Sequence, residues 1–340
     1  MAVPRAIIYG CEGLSLTAAE KTHFRQVDPW GLILFRRNVE SPAQLRALTG
    51  SFREVVGRAD APVLIDQEGG RVQRMGPPHW RAYPSGAAYG KIWEVSPDRA
   101  REAAFLAARL IADDLRAAGI TVDCLPVLDV PVEGAHDVIG NRAYARDPAV
   151  VASIGRSAAL GLLAGGVLPV VKHMPGHGRG MADSHKSLPR VDAPRADLEA
   201  HDFAPFRRMA DMPLAMTAHI VFSAIDPERP ATQSPVVLGE VIRGFIGFEG
   251  LVMSDDLSME ALGGDFTTRT RAILDAGCDM VLHCNGRMDE MKASARGARP
   301  MTAAAQRRAR AALARISGPP GRFDRGQAKK RLDELLALTA

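Results

Sequence analysis

The chain has 340 residues, of which 46% are apolar and 24% charged, with a net charge of +4, a composition typical of globular proteins with a sizeable core. The basic residues are dispersed, and the arginines at 307, 308 and 310 indicate a solvated helix face rather than a nucleic-acid patch. Because no apolar run approaches the roughly 20 residues that span a bilayer and no signal-peptide core opens the chain, we expect a cytoplasmic protein without a nucleic-acid or membrane partner.

Eight short apolar runs predict β-strands: Ala6–Tyr9, Gly31–Phe35, Pro62–Ile65, Thr121–Cys124, Leu168–Val171, Leu214–Thr217, Leu251–Ser254 and Met280–His283. Apolar residues at helical spacing predict helices between most of them: Ala43–Val56, Asp98–Ala118, Asp147–Ala164, Ala196–Met209, Leu238–Gly244 and Thr267–Ala276. Ser41 and Pro42 indicate a helix start, whereas Gly119 and Gly277 indicate helix ends.

Strands that alternate with helices predict an α/β fold, a single (β/α)8 TIM-type barrel. An open doubly wound sheet is the alternative, but no G-x-G-x-x-G motif follows the first strand and eight strands fit closure. No linker divides the chain, so residues 1–340 are predicted to form one domain. The tail 318–340 contains an amphipathic stretch, Gln327–Leu338, which we expect to pack on the barrel as a C-terminal helix.

Polar side chains occur at or just after the ends of the last six predicted strands. The carboxyl ends of barrel strands meet at one mouth, where the active sites of this fold are built. We therefore expect one site to contain these residues: Asp66, Asp129, Lys172, His173, His219, Asp255, Asp256 and His283.

The densest polar segment follows the fifth predicted strand. It runs from Lys172 to Gly178, contains His173 and His177, and continues to Asp183 and His185. Buried polar groups cost free energy unless they are paired, so this cluster indicates a chemical role. Asp183 can orient His185 for acid–base catalysis, although its spacing alone favours a loop turn in which Asp183 binds backbone N–H groups.

Two further segments carry carboxylates. Asp66 and Arg74 suit the recognition of sugar hydroxyls, because a carboxylate accepts hydrogen bonds and a guanidinium donates them. For Arg71 we expect a structural ion pair with Glu68.

The adjacent aspartates Asp255 and Asp256 point in different directions from the end of the seventh strand. One can hold a loop or cap a helix. The other, for which Asp255 is the better candidate, can act as a nucleophile toward an anomeric carbon or as a metal ligand.

A metal site is disfavoured. Proline and glycine between His173 and His177 exclude the helical spacing that zinc proteases use, and no H-x-H motif follows the first strand. We therefore expect neither a metal nor another cofactor. Cys124 and Cys278 lie in apolar surroundings and are expected to be buried free thiols.

Four separated motifs together resemble glycoside hydrolase family 3, and more narrowly its single-domain bacterial β-N-acetylhexosaminidases of peptidoglycan recycling. The motifs are Asp66–Arg74, Lys172–Gly178, Asp183–His185 and Ser254–Met259, and the resemblance extends from the first to the eighth strand. Met174 stands where relatives commonly carry Phe or Ile, and Asn141 where they usually carry Asp. Both positions lie beside functional residues rather than on them.

The resemblance implies retaining hydrolysis of terminal β-1,4-linked N-acetylglucosamine (GlcNAc) from muropeptides that contain 1,6-anhydro-N-acetylmuramic acid. It implies that Asp255 is the nucleophile that forms a covalent glycosyl-enzyme, that His185 is the acid/base, and that Asp183 is its dyad partner. It also implies substrate-binding roles for Asp66, Arg74, Arg142, Lys172 and His173. The expected partner is a small carbohydrate, bound by a monomer without metal or cofactor.

Three alternatives remain open. A GlcNAc phosphorylase on the same scaffold is the nearest, because a histidine acid/base tolerates an anionic phosphate acceptor. A metal-dependent barrel hydrolase is more distant. A non-enzymatic binding module is the third and requires Asp255 to be idle.

Overall fold

The computed structural model describes residues 3–134, 137–180 and 188–339, and within them eight parallel strands close a barrel in chain order. The barrel closes where the first strand pairs with the last, with Ile7 opposite Val281. The predicted (β/α)8 fold is thus confirmed. The barrel strands are β1 Arg5–Tyr9, β2 Pro29–Leu34, β3 Val63–Ile65, β4 Val122–Asp123, β5 Leu168–Met174, β6 Leu214–Thr217, β7 Leu251–Asp256 and β8 Met280–His283.

The strands were recognisable because helices cover the outside of the barrel and side chains fill its inside. Parallel strands are then buried on both faces and appear as continuous apolar runs. β5 and β7 extend beyond their predicted ends, to Met174 and Asp256. Lys172, His173 and Asp255 therefore lie on the strands themselves and not in the loops that follow.

Eleven α-helical segments occur in the described part of the chain. They are α1 Ala18–Val27, α2 Pro42–Val56, α3 Gly86–Val95, α4 Pro97–Ala117, α5 Pro148–Ala164, α6 Arg195–Asp197, α7 Ala204–Arg208, α8 Phe266–Ala276, α9 Met288–Gly297, α10 Ala303–Ala314 and α11 Arg325–Leu336. The helix predicted over 196–209 is interrupted by a π-helical turn, Leu198–Asp202, and Val237–Phe245 is π-helical as well. None of the described helices is both long and apolar enough to cross a membrane.

Some helices were not predicted. α1 carries a recognisable signal, a capping box in which Thr17 and Glu20 bind each other's backbone N–H groups. α3 carries no such signal, because it contains two glycines and its Ser85 cap makes no side-chain hydrogen bond.

Helix α11 lies against α4 on the outside of the barrel. Arg331 binds both carboxylate oxygens of Glu102 at 2.8 Å, and Arg325 pairs with Asp114. Leu332 and Leu335 are buried. The four cysteines are buried free thiols, as expected for Cys124 and Cys278.

Candidate active site

A cavity of about 500 Å³ opens at the carboxyl ends of the barrel strands. Its walls include apolar side chains such as Phe35, Met216 and Leu282. Six residues predicted to carry the chemistry also line it: Asp66, Arg74, Arg142, Lys172, His173 and Asp255. The structure therefore brings together side chains that lie nearly 190 positions apart in the sequence.

Lys172 is the centre of a buried charge cluster. Its Nζ lies 2.8 Å from Oδ1 of Asp66 and 2.6 Å from Oε1 of Glu68. Arg74 donates to the other oxygen of Asp66 at 3.1 Å. An ammonium group has three N–H donors, so two carboxylates leave Lys172 one donor for a ligand in the cavity.

Glu68 also holds Arg142, which donates from Nε at 2.9 Å and from Nη2 at 2.8 Å. This bidentate pair leaves Nη1 as the guanidinium nitrogen not bound to a carboxylate. The expected ion pair between Arg71 and Glu68 is wrong. Glu68 is buried and bound by Lys172 and Arg142, whereas Arg71 lies at the rim and donates to the carbonyl oxygens of Asp137, Val138 and Ile139.

The cluster stays charged at neutral pH. Burial raises the pKa of the Asp66 carboxyl, but Lys172 and Arg74 lower it by more, so it lies below its usual range. Burial lowers the pKa of Lys172, but the carboxylates of Asp66 and Glu68 raise it by more, so the net effect is a raised pKa. Asp123 of β4 behaves oppositely, because burial raises its pKa well above the usual value. The cavity thus presents cations already matched by carboxylates, which suits neutral hydroxyl groups.

Asp129 organises the end of β5. Its Oδ2 lies 2.7 Å from Nδ1 of His173, and its Oδ1 accepts the backbone N–H groups of His173 at 3.2 Å and His177 at 2.6 Å. Burial raises the pKa of Asp129, but His173 outweighs it and brings the pKa to about 2. Burial lowers the pKa of His177 to about 4.

The two aspartates of β7 have different surroundings. Asp256 accepts the backbone N–H groups of Ser258 and Cys284, each at 3.0 Å, and so ties two loops together. Asp255 accepts the backbone N–H of Asp256 at 2.8 Å. Burial raises its pKa, but His173 and His219 outweigh burial, so the pKa lies below its usual range. Asp255 is therefore an ionised carboxylate in the cavity.

The remaining two strand-end histidines differ in position. His219 supports the β7 end, because its Nε2 lies 3.0 Å from the carbonyl oxygen of Asp256. Three residues of the predicted convergent set are not among the described residues that line the cavity: Asp129, His219 and His283. Asp129 and His219 instead bind lining residues, His173 and Asp256, whereas the expected convergence of His283 is wrong. Successive side chains on a strand alternate between faces, and Leu282 lines the cavity while His283 contacts Glu290 of α9 at 3.1 Å.

Asp183 and His185 lie outside the described residues, so their predicted pairing stays a prediction. Among the residues that the structure describes, no group of three or more histidine, cysteine, aspartate or glutamate side chains could hold a metal ion. The described segment before Asp183 is closely packed. A Cβ on Gly178 would lie 2.0 Å from the carbonyl oxygen of Val130, and Arg179 donates to Asp202 at 2.6 Å.

The sequence predicted Arg71 as the partner of Glu68, which is wrong, and it placed Asp129 in the site without a specific role. Asp129 follows Val127 and Leu128 and precedes Val130. An acidic residue inside an apolar run is a usable signal, because a buried carboxylate requires partners. The partners themselves come from another strand and cannot be read from the local sequence.

Comparison with known proteins gives a consistent result. The profile of the glycosyl hydrolase family 3 N-terminal domain matches residues 15–316. The β-hexosaminidase of Alkalilimnicola ehrlichii is 42% identical over 283 residues, which cover 82% of this chain and 80% of that protein. The β-hexosaminidase of Bordetella avium is 40% identical over 288 residues, which cover 83% and 81%.

Solved structures agree with the sequence matches. NagZ from Neisseria gonorrhoeae, in complex with N-trifluoroacetyl-D-glucosamine, superposes with a TM-score of 0.86 at 32% identity, covering 99% of both chains. A family 3 β-N-acetylglucosaminidase from Paenibacillus sp. gives a TM-score of 0.84 at 28% identity, and the match covers 97% of this chain but 66% of that one.

Proposed function

This chain belongs to glycosyl hydrolase family 3, and we propose that it is a retaining exo-β-N-acetylglucosaminidase that uses Asp255 as its nucleophile. The observation that carries the proposal is an ionised Asp255 carboxylate in a cavity that also contains matched sugar-binding donors and acceptors. The enzyme class follows from its β-hexosaminidase relatives. NagZ from Neisseria gonorrhoeae, a structural relative, binds an N-acylated glucosamine.

In the proposed reaction, Asp255 attacks the anomeric carbon and the glycosidic bond to the leaving oxygen breaks. A covalent glycosyl-enzyme forms, and water then hydrolyses it with net retention. Asp255 suits this step because its pKa lies below its usual range, so it is ionised at neutral pH, and because Asp256, not Asp255, ties the loops together.

His185 donates the proton to the leaving oxygen in this proposal, and Asp183 orients it. The support is the family resemblance of the Asp183–His185 motif. A histidine that gives up its proton becomes a neutral imidazole, so it adds no negative charge beside Asp255 after the transfer.

The GlcNAc hydroxyls are held by five residues in this proposal: Asp66, Arg74, Arg142, Lys172 and His173. Lys172 supports this role with its remaining N–H donor, and Asp66 with carboxylate lone pairs beyond the two that its cations occupy. A neutral hydroxyl carries no charge that would compete with the carboxylates for these cations, so the buried ion pairs persist when the ligand is bound.

The finer assignments rest on the resemblance. The natural substrate is a GlcNAc-1,6-anhydro-N-acetylmuramic acid muropeptide. The protein is a cytoplasmic monomer that consists of one domain, with the tail 318–340 as a helical extension. Helix α11 supports this organisation through its contacts with α4.

Trapping with a 5-fluoro GlcNAc fluoride, followed by proteolysis and mass spectrometry, tests the nucleophile. We expect the label on the peptide that contains Asp255, and no label in the Asp255→Asn variant. A label on another residue would overturn the assignment. Product analysis with added phosphate distinguishes the phosphorylase alternative, since GlcNAc-1-phosphate would form in place of GlcNAc.

The His185 role has its own test. His185→Ala should slow hydrolysis of an alkyl GlcNAc glycoside far more than that of a nitrophenyl glycoside, because an activated leaving group needs less protonation. Equal losses on the two substrates would contradict the acid role.

A further inference from the structure

Asp129 has a hydrogen-bonding arrangement that restricts the imidazole beside it. Its Oδ1 accepts two backbone N–H groups, those of His173 and His177, and its Oδ2 lies 2.7 Å from Nδ1 of His173. Asp129 is fully buried and its carboxyl is ionised at neutral pH. An ionised carboxylate only accepts hydrogen bonds, so Nδ1 of His173 must carry a proton.

The other ring nitrogen is the one available to a ligand. His173 lines the cavity together with Asp255, and its Nδ1 is occupied by Asp129. In a neutral imidazole protonated on Nδ1, Nε2 is an acceptor. The neighbouring side chains Lys172, Arg74 and Arg142 are donors, so an acceptor at this position complements them around a sugar hydroxyl.

We propose that Asp129 is a positioning residue that fixes the proton of His173 on Nδ1 and so presents the Nε2 lone pair to a substrate hydroxyl. The inference rests on the function proposed above and adds to it a residue that does not itself touch the substrate. Asp129 also fixes the turn between His173 and His177, because one oxygen receives both backbone N–H groups.

The amide isostere separates these two tasks. In Asp129→Asn, the two backbone N–H groups require an oxygen at Oδ1, so the amide nitrogen faces Nδ1 of His173. An NH₂ group there is a donor, and Nδ1 must then accept. The proton moves to Nε2 and the cavity presents a donor where the native site presents an acceptor.

Asp226 offers a matched control elsewhere in the fold. Its Oδ1 accepts the backbone N–H groups of Glu228 and Arg229 at 3.1 and 3.2 Å, and its Oδ2 accepts the hydroxyl of Ser234 at 2.7 Å. This is the same loop-fixing arrangement without a histidine. Asp226→Asn therefore reproduces the structural part of the substitution.

The experiment combines NMR with kinetics on the full chain. In ¹⁵N-histidine-labelled protein at about pH 8, where a free imidazole is neutral, the His173 signals are identified by their loss in His173→Gln. We expect the Nδ1–H tautomer in the native protein and the Nε2–H tautomer in Asp129→Asn. The kcat/KM for a nitrophenyl GlcNAc glycoside should fall roughly 10- to 100-fold, the range expected when a buried substrate hydroxyl loses its acceptor and is left unsatisfied.

The controls distinguish positioning from simple loss of structure. Asp226→Asn should lower the melting temperature but leave the tautomer and kcat/KM unchanged. Adding Asp129→Asn to His173→Gln should cause little further loss of kcat/KM, since Asp129 acts through His173. An Nε2–H tautomer in the native protein, or fully additive losses, would overturn the inference. A native protein that cleaves no β-GlcNAc glycoside would refute the proposed function instead, and the NMR result would still decide the role of Asp129.

Discussion

Lys172 keeps its charge in the protein interior because two carboxylates, Asp66 and Glu68, lie within hydrogen-bonding distance of its ammonium group. Desolvation alone would favour the neutral amine at such depth. The pairing has a functional consequence as well. Arg74 and Arg142 bind the same two carboxylates, so all three cations are held in place before a ligand enters, and little side-chain entropy is lost on binding.

The buried histidine His177 makes the stability of the protein dependent on pH. Burial lowers its pKa to about 4 in the folded chain, against about 6.5 in the unfolded chain. As the pH falls below 6.5, the unfolded state binds a proton that the folded state refuses, so stability decreases until about pH 4 and then levels off for this group. We expect His177 to contribute a loss of up to about 3 kcal/mol.

Urea unfolding at about pH 7 and about pH 4.5 measures this effect. The free energy of unfolding should fall less between these values in His177→Gln than in the native protein. Part of the dependence should remain, because burial also lowers the pKa values of His219, His283 and His23. His79→Gln is the control, since His79 is exposed. Identical pH dependence in His177→Gln and the native protein would contradict the expectation.

At the level of elements, the apolar part of each strand was predictable, but the residue at which β5 and β7 end was not. Leu214–Thr217 and Met280–His283 match their predicted bounds, because burial on both faces leaves an uninterrupted apolar run. β5 and β7 continue through Lys172, His173 and Asp255. Those side chains interrupt the apolar pattern, and the pairing register with a neighbouring strand shifts at the same positions before it resumes at Met174 and Asp256. The sequence pattern therefore ends before the strand does.

Helix α3 positions the segment that carries Arg142. A Cβ on Gly86 would lie 2.1 Å from the carbonyl oxygen of Arg142, so glycine permits a close approach that alanine would prevent. Helix propensity favours alanine at such a position, and the contact overrides it. We expect Gly86→Ala to displace the 142–144 backbone and raise the KM for a GlcNAc glycoside about tenfold, because overpacking against a rigid backbone costs about 1–3 kcal/mol. The kcat should change little, since the interaction contributes mainly to binding.

Gly50 provides the matched control for this substitution. It lies inside α2, and a Cβ there would meet no atom within 4 Å. Gly50→Ala should stabilise the protein by roughly 0.5–1 kcal/mol and leave KM unchanged. If Gly86→Ala lowered the melting temperature without raising KM, the contact between α3 and Arg142 would concern stability alone.

At the scale of the whole molecule, the site depends on closure of the barrel. Asp66, Lys172 and Asp255 come from β3, β5 and β7 or their ends, and a sequence pattern can predict that these ends meet. It cannot predict that Glu68 binds Lys172 and Arg142 and not Arg71, or that His283 turns away from the cavity. Those outcomes depend on side-chain direction and on which partner lies deepest, and both are set by packing between distant segments.

Helix α11 lies outside the barrel, and none of residues 318–339 lines the cavity, so its packing should affect stability separately from catalysis. Leu332 is fully buried, and Leu332→Ala should lower the free energy of unfolding by about 2–5 kcal/mol. Leu338, which is 38% exposed in the same tail, provides the control, and Leu338→Ala should change stability by less than about 0.5 kcal/mol. Urea unfolding measures both values, and kinetics well below the melting temperature should give a native kcat/KM for each variant. A lower kcat/KM in folded Leu332→Ala would mean instead that the tail supports the barrel mouth through α4 and α3.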